Sequence, residues 1–64
     1  MVYTIEQARV LRGFTQPEMA TILGMTVSTY VQREKYRKHM DALEITKFLK
    51  ATNFYYYEIL FVKE

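Results

Sequence analysis

The chain has 64 residues, half of them hydrophobic, with a net charge of +2, no cysteine and one histidine. A chain of this length makes one domain and buries only about 60% of the surface that its unfolded form exposes, which leaves little room for an internal active-site cavity. Without cysteine, and with His39 as the one histidine, neither a disulfide framework nor a metal site has the residues that it needs.

We therefore expect a binding module and not an enzyme, with no metal, cofactor or small-molecule ligand. A nucleophile and its base would have to be built around His39, because the carboxylates fall on predicted helix surfaces. No apolar run approaches the roughly 20 residues that span a bilayer, and the N-terminal residues lack the charged and apolar regions of a signal peptide. The sequence thus predicts a cytoplasmic protein with no membrane contact.

The first predicted helix runs from about Ile5 to Arg12. Thr4 is a good N-cap, and the apolar residues that follow it recur at helical spacing. Gly13 is expected to end this helix.

The second predicted helix runs from about Gln16 to Leu23. Thr15 and Glu18 have the spacing of a capping box, and Pro17 lies in the first turn, where its missing N–H is harmless. The helix must stop at the next residue, a glycine, because the backbone needs a left-handed conformation there.

A third helix is predicted from its N-cap, Thr26, to about Glu34, after a turn made by Gly24 and Met25. Ala20 is expected where the second and third helices come closest, because a side chain larger than a methyl would hold them apart. The apolar faces that close this pair are supplied by Met19, Ile22, Leu23, Met25 and Tyr30.

A fourth helix is predicted from Met40 to about Thr52. Its apolar stripe contains Met40, Ala42, Leu43, Ile45, Phe48 and Leu49. The last segment, FYYYEILFVKE, is ambiguous, because its aromatic and β-branched residues favour a strand. No linker or second domain is visible.

A basic run made of Arg33, Lys35, Arg37 and Lys38 directly follows the third helix, interrupted only by Glu34 as an acid. Such a run is commonly a solvated helix end, whose cations the helix dipole favours. Its position beside the pair of helices instead favours contact with the phosphates of DNA.

The segment from Gln16 to Lys35 resembles the helix-turn-helix of the phage repressor and Cro-type family, also called the Xre family. The residues that carry the resemblance are Thr15, Gln16, Met19, Ala20, Leu23, Gly24, Thr26, Thr29, Tyr30 and Glu34. The resemblance extends from about Tyr3 to about Phe61 and implies an all-α fold, a compact lambda-repressor-like domain of four to five helices with the helix-turn-helix at about 16–35. We assign residues 1–64 to this single domain. In two places the chain departs from the family. Tyr36 stands where relatives commonly have a glycine, and Arg33 stands where an apolar residue is frequent.

The resemblance also places a short fifth helix in the last segment, so we predict a helix up to Leu60. A short C-terminal strand from Ile59 to Lys63 that pairs between subunits, as in some Cro-like proteins, is the alternative. Part of the aromatic cluster is expected to close the core. The remainder forms either a twofold dimer contact, as the family implies, or exposed tyrosine edges of a core satellite. The residues assigned to that contact are Tyr55, Tyr56, Tyr57 and Phe61.

A recognition helix reads bases with side chains at its N-terminal end and one turn further along, and here those positions hold Val27, Ser28 and Gln32. Gln32 can bond to adenine, Ser28 to several bases, and Val27 can pack on a thymine methyl, which would favour A·T-containing half-sites. The same side chains would otherwise be ordinary exposed helix residues.

Contacts to the DNA backbone are expected from Gln16, Thr29, Lys35, Arg37 and Lys38. The resemblance implies that Gln16 also braces the recognition helix. It further implies a structural ion pair between Arg9 and Glu34, which match positions that form a buried pair in relatives of this fold.

The sequence therefore predicts a sequence-specific DNA-binding transcriptional regulator, a repressor or Cro-like protein of a phage, mobile element or bacterial host. As the resemblance implies, it would bind double-stranded DNA at a palindromic operator as a homodimer. The rival prediction is a protein-interaction module, such as an antitoxin subunit or a regulator's partner, that uses the same fold with the tyrosine cluster as its docking face.

Overall fold

The computed structural model describes residues 1–63 and is mostly helical, with a small two-stranded sheet. The elements in chain order are β1 (Tyr3–Thr4), α1 (Ile5–Leu11), α2 (Gln16–Leu23), α3 (Val27–Glu34), α4 (Ala42–Thr52), a 3-10 turn (Tyr56–Glu58) and β2 (Ile59–Leu60). These elements pack into a body of 29 × 25 × 19 Å.

Local side-chain caps fix where the helices begin. Capping boxes open α1 with Thr4 and α2 with Thr15, as the sequence predicts for α2, and the Thr26 hydroxyl accepts the Thr29 amide at the start of α3. Helix α4 begins at Ala42, later than the predicted Met40. The reason is Asp41, whose carboxylate accepts the N–H of the third helical residue at 2.8 Å and so acts as the N-cap.

Left-handed residues end the first two helices. Gly13 follows α1 with φ of 81°, and Gly24 follows α2 with φ of 74°. The N–H of each glycine donates to the carbonyl three residues earlier, and the N–H of the residue after it donates to the carbonyl five residues earlier, which is the Schellman motif. Both predicted helix stops are confirmed.

The predicted fifth helix up to Leu60 is wrong. A 3-10 turn of three residues leads instead into β2, which pairs in parallel with β1 of the same chain, in a register that places Tyr3 opposite Ile59 and Thr4 opposite Leu60. Only Ile59 and Leu60 of this segment form a strand, and they do so because the first residues of the chain supply the partner strand. The structure thus has a short strand within the range of the alternative prediction, Ile59 to Lys63, and pairs it within one chain.

The hydrophobic core lies between the four helices and the sheet. Its buried apolar members are Ile5, Ala8, Met19, Ala20, Leu23, Tyr30, Met40, Phe48, Phe54, Ile59 and Phe61. Ile22 and Leu43, which the sequence places on apolar faces, are exposed, as are Val10 and Leu11 of α1. These helices bury narrower stripes than their sequences predict, since a domain of this size has few neighbours to cover a helix.

Within residues 1–63, no helix combines the length and the apolar character that crossing a membrane would require.

Candidate nucleic-acid interface

Helices α2 and α3 pack closely around a small residue. Ala20 of α2 is 2% exposed, and Leu23 and Tyr30 are buried beside it in the same core cluster. The left-handed turn at Gly24 and the cap at Thr26 set the direction in which α3 leaves this contact. The pair holds α3 against the core by its inner side and leaves its outer side free for a partner.

The outer side of α3 carries the three residues predicted to read bases. Ser28 and Gln32 are exposed, and Val27 is 41% exposed at the first position of the helix. Ser28 and Gln32 are four residues apart and Lys35 follows three residues later, so all three lie on one stripe of the helix surface. Two amide or hydroxyl groups followed by a cation thus face solvent in a row about 10 Å long, at a rise of about 1.5 Å per residue.

Thr29 and Gln16 lie half-buried at the edges of this stripe. The Thr29 hydroxyl accepts a hydrogen bond from the hydroxyl of Thr26 at 3.0 Å, next to the first turn of α3. The side-chain amide of Gln16, at the start of α2, donates to Glu34 Oε1 near the end of α3 at 3.1 Å. Gln16 therefore connects the first residue of one helix to the last turn of the other.

The basic run divides into two parts in the structure. Arg33 turns away from the stripe and pairs with Glu44 of α4, with Nε 3.0 Å from Oε1. Lys35, Arg37 and Lys38 are exposed, and none of them takes part in the ion pairs found within residues 1–63. We call the segment Lys35–Lys38 the basic turn.

Most of the described carboxylates are engaged away from the basic turn. Glu34 is paired with Arg9, and Glu44 with Arg33. The carboxylates that accept a backbone N–H at the start of a helix or turn are Glu18, Asp41, Glu44 and Glu58. For Glu18 the bond from the Thr15 backbone lowers the pKa, so this carboxylate stays ionised at its cap. Within residues 1–63, no carboxylate forms an ion pair with the basic turn.

A buried ion pair fixes the far end of α3. Arg9 Nε lies 2.7 Å from Glu34 Oε2, with the side chains 10% and 3% exposed, and Arg9 also donates to the carbonyl oxygen of Phe14 at 2.7 Å. Burial alone would raise the pKa of Glu34, but the hydrogen bonds from Arg9 and Gln16 outweigh it and hold that pKa below its ordinary value. The predicted pair is thus present in the structure, and it joins α1, α2 and α3.

Tyr30 lies next to this pair with its hydroxyl buried and without a hydrogen-bond partner among the described residues. Burial, together with the nearby negative charge of Glu34, raises the pKa of Tyr30 far above its ordinary value. The surroundings of the phenol therefore favour its neutral form.

The aromatic segment near the C-terminus has two sides. Tyr55 and Tyr57 are 67% and 74% exposed, and their rings stack on each other with centroids 5.5 Å apart. Tyr56 is also exposed and stacks on Phe61. Phe61 itself is only 5% exposed and packs edge-on against Phe48. Phe61 is therefore a core residue, and its assignment to a dimer contact is wrong, because β2 turns that ring inward.

Two shallow grooves lie away from α3. One of about 410 Å³ is lined by Tyr3, Glu6, Gln7, Val10 and Leu11, and one of about 430 Å³ is lined by Phe14, Ile22, Lys47, Lys50 and Ala51. Neither groove includes a residue of the α3 stripe or the basic turn. The candidate site is thus an exposed helix surface and not a groove of this domain.

Within residues 1–63, no group of three or more histidine, cysteine, aspartate or glutamate residues is arranged to hold a metal ion. No family model matches the chain, and no curated protein or solved structure matches it either.

Proposed function

We propose that this chain is a sequence-specific DNA-binding transcriptional regulator whose helix-turn-helix is of the phage repressor and Cro type, in a lambda-repressor-like domain. The observation that carries the proposal is the stripe of Ser28, Gln32 and Lys35 on α3, which continues into a basic turn whose charge no described carboxylate neutralises. An α-helix fits the major groove of B-DNA, and polar side chains along its outer side reach base edges there.

Base reading falls to the first two turns of α3. The side-chain amide of Gln32 can bond bidentately to adenine, the hydroxyl of Ser28 can pair with several bases, and Val27 can contact a thymine methyl. This set favours half-sites that contain A·T pairs. Each bidentate contact would discriminate against a wrong base by about 1–3 kcal/mol.

Phosphate contacts position the helix without reading sequence. Lys35, Arg37 and Lys38 supply charge at one end of the stripe, and Thr29 supplies a hydroxyl beside its start. The side-chain amide of Gln16 has two hydrogens, of which one is donated to Glu34, so the other can bond a phosphate oxygen. Gln16 would then hold α3 and the DNA backbone at once.

As a regulator of this kind, the chain would act as a homodimer on a palindromic operator, with the recognition helices one turn of DNA apart. Binding over a promoter would repress transcription by blocking polymerase. Tyr55, Tyr56 and Tyr57 remain the residues proposed for the dimer contact, because their rings stay exposed in the single chain.

The test is fluorescence anisotropy of the purified protein on the DNA that flanks its own gene and on a scrambled duplex, repeated over a salt series. We expect tight binding to the first duplex only, with an affinity that falls steeply as salt rises. Gln32→Ala should remove the preference for the flanking DNA. Lys35→Ala should weaken binding to both duplexes alike and reduce the salt slope by about 1.

Lys50→Ala is the matched control for Lys35→Ala, because Lys50 is also exposed but lies on α4. It should leave both the affinity and the salt slope unchanged. Equal and weak binding of the unaltered protein to the two duplexes would refute the proposal.

The second candidate function is a protein-interaction module, and the observation that favours it is the exposed stack of Tyr55 on Tyr57. In that case the tyrosine segment is the docking face and α3 is an ordinary solvated helix. Reversing the charges of Lys35 and Lys38 separates the two functions, since it would abolish DNA binding and leave protein binding intact.

A further inference from the structure

The residue that ends α3 is unusual for its position. Tyr36 has φ of 61°, and its N–H donates to the carbonyl of Arg33 at 3.1 Å while the N–H of Arg37 donates to the carbonyl of Gln32 at 2.9 Å. These bonds form the same Schellman motif that ends α1 and α2, where the left-handed residue is a glycine. A tyrosine in this conformation is strained, because its Cβ crowds the backbone where glycine has none.

The side chain of Tyr36 makes contacts that a glycine could not. Its hydroxyl accepts the N–H of Ile5 at 3.2 Å and donates to the carbonyl oxygen of Leu60. Ile5 directly follows β1 and Leu60 ends β2, so one phenol oxygen bridges the ends of the two strands. The ring itself packs against the hydrophobic core. Strained residues persist where the surrounding structure requires them, and this one is required by the sheet.

This bridge connects the basic turn to the sheet. Lys35 and Arg37 are the immediate neighbours of Tyr36, and the amides of Arg37 and Lys38 both bond to the carbonyl of Gln32. The turn is thus held to the recognition helix by its backbone and to the sheet by one side chain. Without the hydrogen bonds of the Tyr36 hydroxyl, the end of α3 would keep its own backbone hydrogen bonds but lose its fixed orientation relative to the rest of the domain.

We propose that Tyr36 is the positioning residue of the phosphate-binding surface, and that its hydroxyl couples the β1–β2 sheet to the basic turn. The inference rests on the proposed DNA-binding function. It extends that function, because β1 and β2 then help to position the cations of the basic turn relative to the phosphates. Both strands are far from the recognition helix in sequence. Preorganised contacts of this kind raise affinity by reducing the ordering that binding must otherwise supply.

The experiment compares Tyr36→Phe with Thr52→Val in DNA binding. Tyr36→Phe keeps the ring and removes the bridging hydroxyl. Thr52→Val removes another buried hydroxyl, one that bonds to the carbonyl of Phe48 within α4, away from the basic turn. Affinity for the flanking and scrambled duplexes is measured at low temperature across a salt series, and the melting temperature of each variant is recorded beside it.

We expect Tyr36→Phe to weaken binding to both duplexes by about three- to tenfold and to flatten the salt slope, since fewer phosphates are contacted at once. Thr52→Val should lower the melting temperature without changing either property. Tyr36→Gly is the second variant, because glycine relieves the strained backbone and keeps the helix end folded while removing the bridge. It should bind as weakly as Tyr36→Phe.

Binding of Tyr36→Phe or Tyr36→Gly that matches the unaltered protein, or a loss no larger than that of Thr52→Val, would overturn the inference and leave the proposed function standing. Failure of the unaltered protein to bind DNA would overturn the proposed function and this inference with it. Amide hydrogen exchange then still decides whether the bridge exists, because the Ile5 amide should exchange faster in Tyr36→Phe than in the unaltered chain.

Discussion

Replacing Arg9 by methionine should be the most damaging single change at the buried ion pair. Glu34, with its side chain 3% exposed, would keep only the hydrogen bond from Gln16, and the carbonyl of Phe14 would lose its partner as well. Removing one member of a buried ion pair costs about 3–5 kcal/mol. A domain of this length has a total unfolding free energy of only about 3–10 kcal/mol, so Arg9→Met should lose a large part of its stability.

Replacing Glu34 by leucine should cost less, about 1–3 kcal/mol, because Arg9 retains its bond to Phe14 and is 10% exposed in its side chain. The double variant removes both charges together, so we expect its loss to be about 2 kcal/mol smaller than the sum of the single losses. The assay is urea unfolding followed by circular dichroism at 222 nm, at neutral pH and low temperature. If the single losses add to within about 0.5 kcal/mol, the pair is not coupled and this reasoning is refuted.

Three further predictions concern acid stability, backbone geometry and the packing of α2 on α3. Folding lowers the pKa of Glu34 below its ordinary value of 4.5. The contribution of Glu34 to the unfolding free energy is therefore complete above that pH and is lost as the pH falls through the lower folded-state pKa. In acid titrations, Glu34→Gln should lack this part of the decline in unfolding free energy. Gly24→Ala should cost about 1–2 kcal/mol from its left-handed backbone alone, because a Cβ there would meet only Lys47 Nζ at 3.8 Å. Each kcal/mol lowers the melting temperature by a few degrees, so a melting temperature within about 1–2 °C of the original would contradict this prediction. Ala20→Val should cost about 1–3 kcal/mol by forcing α2 and α3 apart, and it should also weaken DNA binding in the anisotropy assay; a stable variant with unchanged affinity would show that the helices tolerate the larger side chain.

The helix boundaries that could be predicted are those written in neighbouring residues. The starts of α1, α2 and α3 depend on a threonine and the amide three residues later, and the ends of α1 and α2 depend on a glycine. Each of these signals lies within about one turn of the chain, so no knowledge of distant packing is needed. The predicted start of α4 is two residues too early, because the apolar Met40 fits the helical stripe although Asp41 is the N-cap.

The features that could not be predicted depend on partners far along the chain. A strand of two residues has no periodicity of its own, and β2 forms because Tyr3 and Thr4 are there to pair with it. The ion pair of Arg33 with Glu44 likewise needs α3 and α4 to be placed first. The exposure of Ser28 and Gln32 followed from helical spacing, whereas the left-handed conformation of Tyr36 has no local sequence signal, since tyrosine is disfavoured there.

The pairing of Tyr3 with Ile59 closes a loop that contains nearly the whole chain. The entropy lost in closing so long a loop is not recovered until the strands and the Tyr36 bridge form, whereas each helix can form from residues close in sequence. The sheet should therefore be the last element to assemble during folding and the first to open during native-state fluctuations. On the ribosome, a nascent chain cannot pair β1 with β2 until Leu60 has emerged. Until then, the four helices also lack the hydrogen bond from the Tyr36 hydroxyl to the carbonyl oxygen of Leu60.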